Sequence, residues 1–337
     1  MTKKRMITQA GSAILLIALI SLLAACGAAP AAPTVAPTAT PAPTQPPPPP
    51  TATPAPAAAE PASAILEPVR TFDLDIKPHD IAVDGDGNLY AVDLQNAQIV
   101  KYDRDGQRLA AWGERGSEAG QFEFLPPPDG PPIDGGFVTV DADGNVYVSD
   151  SFNNRVQKFD SAGKHLSMWS NLGAEDAVLN VPGPISIDAL GRLYVADFSG
   201  VQQYDLDGAF VASHAAAGEA AVDSQGNLFM PLAFQNIVFR MDGNGEVVGQ
   251  WGGQGRGDGQ FDFPMLLVVD SNDHVFVSDQ SGRIQKFDGA GTFLGKWFPE
   301  MGSGDPTPLL LAMTIDGEGN IYVAAKDRNT VYVLRQP

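Results

Sequence analysis

Cysteine is almost absent from this 337-residue chain, in which Cys26 is the single thiol. One thiol excludes an intramolecular disulfide and a zinc site built from thiolates. Basic residues are scarce too: 21 Lys and Arg stand against 40 Asp and Glu, a net charge of −19. Nucleic acid is therefore disfavoured as a partner, because neutralising phosphates needs clustered Lys and Arg. Histidine occurs four times. His165 and His274 fall in or beside turn sequences, so a three-histidine zinc site is not expected. No nucleophile elbow, phosphate loop or dinucleotide fingerprint occurs, which removes support for ordinary hydrolase and kinase chemistry. The main apolar run, Ala13 to Ala25, is shorter than the ~20 residues that span a bilayer comfortably.

What the N-terminus does contain is a basic start, Lys3-Lys4-Arg5, then that apolar run, then Leu23-Ala24-Ala25-Cys26. The order is that of a bacterial lipoprotein signal peptide over residues 1–25, with Cys26 as the mature N-terminus and site of lipid attachment. Two or three acyl chains, at about 0.8 kcal/mol per buried methylene, would hold the protein on a membrane. The expected location is outside the cytoplasm, lipid-anchored, facing the periplasm or cell exterior, and the signal peptide's removal takes the net charge to −22. Residues 26–64 are almost wholly Ala, Pro and Thr, with prolines 46–50 consecutive. Such a composition cannot form a core; it predicts a disordered, extended stalk reaching on the order of 100 Å at ~3.1 Å per residue. Residues 65–337, roughly 270 in number, can bury one closed domain without staples.

That domain is repetitive. From His79 to Asp103, an apolar run ends in Asp84, the turn Gly85-Asp86-Gly87-Asn88 follows, and a second run ends in Asp93; a third run closes on Asp103. Short β-branched and aromatic runs around Gly and Asn read as hairpins. The anchor recurs as Asp84, Asp141, Asp188, Asp223, Asp270 and Asp316, at spacings of 35 to 57 residues. Nine residues on, Asp93, Asp150, Asp197 and Asp279 recur, with Leu232 and Ala325 in the other two units. Six units of about four short strands predict an all-β, six-bladed β-propeller. Val69 to Ile76 supplies the strand that the last unit lacks, joining both ends of the domain in one blade.

The motif AVDxxGNLYAVDxxNxxIVKYDxDG, followed by Trp112-Gly113 to Gly120-Gln121-Phe122 and echoed by Trp251-Gly252 to Gly259-Gln260-Phe261, resembles the NHL repeats of six-bladed propellers. That resemblance implies a platform for proteins or RNA, a sensor ectodomain or, occasionally, an enzyme. The amidoglycolate lyases and gluconolactonase-like enzymes are similar in fold. Only His79 matches the zinc-binding histidines of the former, and the Asn ligands of the latter have no counterpart here.

In this topology the hairpin turns share one face, and the loops between blades meet on the other, around the channel mouth. Asp80 and Glu219 stand at matching positions of opposed units, and with His79 and His214 form a candidate site for a divalent cation, calcium or zinc, or for acid–base chemistry. The Asp-rich turns themselves are read as turns rather than calcium loops, since no bidentate acid follows them. Asp93, Asp150, Asp197 and Asp279, with Arg155 and Arg283 nearby, are expected to fix loops. Trp112, Trp169, Trp251 and Trp297 recur periodically and are expected to pack between blades. The insertion from Phe124 to Gly135, rich in proline, is a candidate docking surface. The reading favoured is a monomeric, non-catalytic platform for a protein or small-molecule ligand on the loop face; the alternative is a metal-assisted lyase or lactonase-like enzyme at the channel mouth.

Overall fold

The computed structural model describes residues 66–131, 133–170, 178–214, 220–298, 310–325 and 329–336. The signal peptide, Cys26, the stalk and Glu219 lie outside the described residues. Six four-stranded antiparallel sheets make up the fold, and each is built from neighbours in the chain except the last. Blade one comprises Ile81–Val83, Leu89–Asp93, Gln98–Tyr102 and Arg108–Trp112. Blade two comprises Phe137–Val140, Val146–Asp150, Arg155–Phe159 and His165–Trp169. Blade three comprises Ile185–Ile187, Arg192–Asp197, Gly200–Asp205 and Phe210–His214. Blade four follows with Ala221–Val222, Leu228–Leu232, Ile237–Met241 and Val247–Gly252. Blade five has Pro264–Val269, Val275–Asp279, Ile284–Phe287 and Phe293–Trp297.

Blade six combines Leu310–Ile315, Ile321–Ala325 and Thr330–Arg335 with the N-terminal strand Glu67–Asp73. That strand pairs from Glu67↔Arg335 to Asp73↔Thr330. It begins two residues before the expected Val69 and ends at Asp73, yet the alternation continues past it. Leu74 is 2% exposed, and its backbone N–H donates to the Asn329 carbonyl at 2.8 Å. Leu66 packs with Trp297 and Leu334, while Leu74 packs with residues of blade one. One strand therefore ties blade six to both its neighbours, and closure leaves no blade missing a strand.

The core lies between blades rather than at the ring's centre. Tyr90, Val92 and Ile99 of blade one meet Val138, Val146, Val148 and Phe159 of blade two in one cluster, and the other interfaces repeat the pattern. The second strand of a blade has a neighbouring sheet on each side. This is why sequences such as Leu-Tyr-Ala-Val-Asp are buried at every position instead of alternating. At the rim, tryptophans near the ends of three outer strands cover the outer turn of the next blade. A Cβ on Gly163 would lie 2.5 Å from the Trp112 indole, and Gly208 and Gly291 are as close to Trp169 and Trp251. Gly163 also has φ +86°, so both the turn and the indole require glycine there.

Candidate functional site

Each anchor Asp is consumed by its own turn. Asp84 Oδ1 accepts the backbone N–H groups of Asp86 and Asn88 at 3.0 and 2.9 Å, and Oδ2 accepts the Asn88 amide and the Tyr90 hydroxyl. Asp141, Asp188, Asp223, Asp270 and Asp316 repeat the two backbone bonds. Carboxylates occupied by donors on this scale fix tight turns and present no open cation cage.

The second set of aspartates holds the opposite face. Asp93 accepts from Gln95 and Asn96, and Asp197 from Asn180, Ser199 and Gly200. Asp150 and Asp279 each hold an arginine, Arg155 and Arg283, through Nε at 2.7 Å. Those arginines reach into the preceding Gly-rich loops. Arg155 donates to the carbonyls of Ser117, Glu118 and Gln121, and Arg283 to those of Gly255, Arg256, Gly257 and Gln260. Only the two blades that follow a Trp-Gly…Gly-Gln-Phe loop carry this arginine. A guanidinium with five donors is suited to a ring of backbone carbonyls.

The innermost strands surround a channel cavity of about 220 Å³. Its described lining is mostly aliphatic, with Asp80, Thr139, Ser186 and Thr314 as the polar side chains. Asp80 accepts the Val138 N–H at 2.9 Å, linking blades one and two. Desolvation pushes its carboxyl up to about 7. Asp80 retains some accessible surface, but the solvent it reaches is confined within the channel, so full desolvation is an upper limit. His79 lies beside it. The ring packs edge-on to Phe137 with centroids 5.2 Å apart, Nε2 is buried without a hydrogen-bond partner, and burial lowers the imidazole to about 4.

The structure brings His79 and Asp80 together by adjacency, and it places His214 elsewhere. His214 ends the outermost strand of blade three, with Nε2 3.3 Å from Gln203 Oε1. Its Nδ1 is 3.7 Å from where a Cβ on Gly245 would stand. It therefore occupies the rim position held by tryptophan in blades one, two, four and five, and is not at the channel mouth. Among the described residues no group of three or more His, Cys, Asp or Glu is arranged to hold a metal ion.

The loops after the second strands expose aromatic side chains over consecutive blades. Phe198 of blade three is 49% exposed and Phe234 of blade four is 57% exposed. Phe234 packs edge-on to Phe263, with centroids 5.1 Å apart. Val181 and Phe263 both have positive φ, +51° and +61°, a conformation costly for residues with bulky side chains. Their N–H groups are held by Asn154 Oδ1 and Asn236 Oδ1, each at 2.8 Å. The proline-rich insertion is pinned at its base, where Gly135 N–H donates to the Phe124 carbonyl at 2.8 Å and Phe124 stacks on Phe122. Pro127 and Pro128 are exposed.

Residues 136–159, in blade two, match the NHL repeat. NHL repeat-containing protein 3 of Mus musculus is 34% identical over 103 residues, 29% of this chain, and that of Homo sapiens is 31% identical over 114 residues, 33% of this chain. The chain spans 27% and 28% of the length of these relatives. Among solved structures, virginiamycin B lyase from Staphylococcus aureus superposes with a TM-score of 0.52 at 15% identity, covering 80% of this chain and 99% of the lyase. A streptogramin B lyase gives 0.52 at 14% identity, covering 81% and 97%. A catalytically inactive form of the S. aureus lyase with quinupristin gives 0.51 at 13%, covering 77% and 82%. Identity this low carries the fold alone. The chain is a six-bladed β-propeller that carries an NHL repeat.

Proposed function

We propose that this protein is an exported, lipid-anchored propeller whose loop face is a non-catalytic platform for a protein partner. The exposed aromatic arc of Phe198 and Phe234, supported by strained and hydrogen-bonded loops, carries that reading. Soluble surfaces rarely expose neighbouring aromatics without a partner, and aromatic anchors dominate binding energy. The proline-rich insertion on blade two extends the same face with rigid, low-entropy contacts. Cys26 supplies the anchor and the stalk the reach.

The test is site-specific photocrosslinking on the mature lipoprotein in its own membrane. A crosslinker at Phe234 should trap a discrete partner, and one at Leu190, 67% exposed but on the turn face, should not. Equal crosslinking from both positions would overturn the reading.

The competing enzyme reading draws on the lyase fold neighbours. It requires a bound ion, and calorimetry with calcium and zinc on the wild type and an Asp80→Ala, Glu219→Ala double variant decides it. One stoichiometric ion lost in the variant, with quinupristin consumed by the wild type, would replace the platform by an enzyme.

A further inference from the structure

Among the described residues that line the channel, Asp80 alone carries a carboxyl. Among the described lining residues there is no Lys or Arg, and the surface they present to the channel is more polar than apolar. Asp80 accepts the Val138 N–H at 2.9 Å, which leaves about three of its roughly four lone-pair directions unfilled. The Ser186 hydroxyl spends its proton on the Ala220 carbonyl at 2.8 Å, so towards the channel it offers lone pairs. Each innermost strand pairs on one side only, and its other edge adds backbone N–H and C=O groups to the lining.

A cavity of about 220 Å³ is too small for a folded partner. A divalent metal is poorly served, because calcium takes six to eight oxygens and zinc about four ligands, and the described lining brings a single carboxylate. An anion is repelled by Asp80 and by the net charge of the chain. A compact organic cation meets these features: its charge satisfies Asp80, and its several N–H donors match the spare acceptors.

We propose that the channel is a binding site for a small primary alkylammonium ion, with the ammonium on Asp80 and the stem extending along the channel. This goes beyond the loop-face platform and stands without it. Because the Asp80 carboxyl titrates near 7, the ligand selects the ionised form, and at pH 6 its binding expels a proton from the carboxyl. The ammonium itself stays charged throughout, as a lysine side chain does.

The experiment is titration calorimetry of the full mature chain with n-butylammonium, against n-butanol and n-butyrate as uncharged and anionic controls. One equivalent of butylammonium should bind. Affinity should be about tenfold tighter at pH 8 than at pH 6, following the ionised fraction. Paired buffers of different ionisation enthalpy should show close to one proton released at pH 6. Asp80→Asn should lose this binding, while Phe234→Ser should keep it, which separates this site from the loop face. Butanol binding as tightly as butylammonium, retention of binding in Asp80→Asn, or no heat with butylammonium at tens of millimolar would each overturn the proposal.

Discussion

Among the described residues Arg283 is the largest side chain buried below 2% exposure, and its removal should open one loop before it unfolds the ring. Its guanidinium bonds Asp279 at 2.7 Å and four backbone carbonyls of residues 255–260. Arg283→Met keeps much of the stem's volume and deletes every one of these bonds. The carboxylate of Asp279, 1% exposed, then loses its counter-ion, a loss worth about 3–5 kcal/mol when a buried pair is broken on one side. The Asp262 and Ser281 N–H groups still bond that carboxylate, which places the expected cost at the lower end, about 3 kcal/mol. At ~2–4 °C per kcal/mol for a domain of this size, melting should fall by about 6–12 °C. Hydrogen exchange should show residues 253–261 losing protection while the strands of blades one and two keep theirs. Arg283→Lys should recover little, since one ammonium cannot span the carbonyls that a fork reaches. Adding Asp279→Asn to Arg283→Met should return part of the loss, because the stranded charge disappears with it. The reasoning is refuted by an Arg283→Met protein whose loop amides exchange as slowly as the parent's, or by a double variant no more stable than the single one.

Three further predictions concern stability. The Asp80 carboxyl is raised from 3.8 to about 7, so the unfolded chain ionises first and the native protein loses stability as pH rises through that window. Between pH 5 and pH 7 the loss is at most about 2.7 kcal/mol, two units at ~1.36 each; Asp80→Asn should abolish it, and denaturant titrations at pH 5 and 8 with parallel profiles for both proteins would refute this. His214 is lowered by burial, so its contribution is intact above the ordinary imidazole range and is lost as pH falls below about 6.5. His214→Trp should restore the rim aromatic and raise the melting temperature, more at pH 5 than at pH 7; a fall at both would show that Gly245 leaves no room for an indole. Removing residues 66–76 of the folded domain withdraws the strand that ties blade six to its neighbours, and limited proteolysis should then digest the whole ring, a fragment as resistant as the parent being the contrary result.

The ring was legible because its signals are local. An Asp that accepts its own turn's N–H groups leaves the same trace in every unit, and a run with sheets on both sides reads as continuously apolar. The rim histidine was legible too, though by a different count. Trp112, Trp169, Trp251 and Trp297 each stand nine residues after an outer-turn Asp, namely Asp103, Asp160, Asp242 and Asp288, and His214 stands nine after Asp205. That offset assigns His214 to blade packing rather than to the channel mouth. The pairing of long loops with arginines was within reach for the same reason, as two loops and two arginines occur in matching halves.

What was not legible depends on contacts between units. Asp80 is raised chiefly by desolvation in a channel whose wall is completed by the other five blades, none of whose lining residues lies within fifty residues of it. No local pattern distinguishes a carboxyl in open water from one in a narrow channel. The exposure of Phe198 and Phe234 is of the same kind, because the repeat fixes where a loop leaves its strand and says nothing about whether a neighbour covers its tip. Structure in this protein is thus written in what the blades share, and its binding chemistry in what single blades add. The residues to vary first are accordingly those that break the repeat: Asp80 at the channel with His79 preceding it, and Phe198 and Phe234 on the loop face.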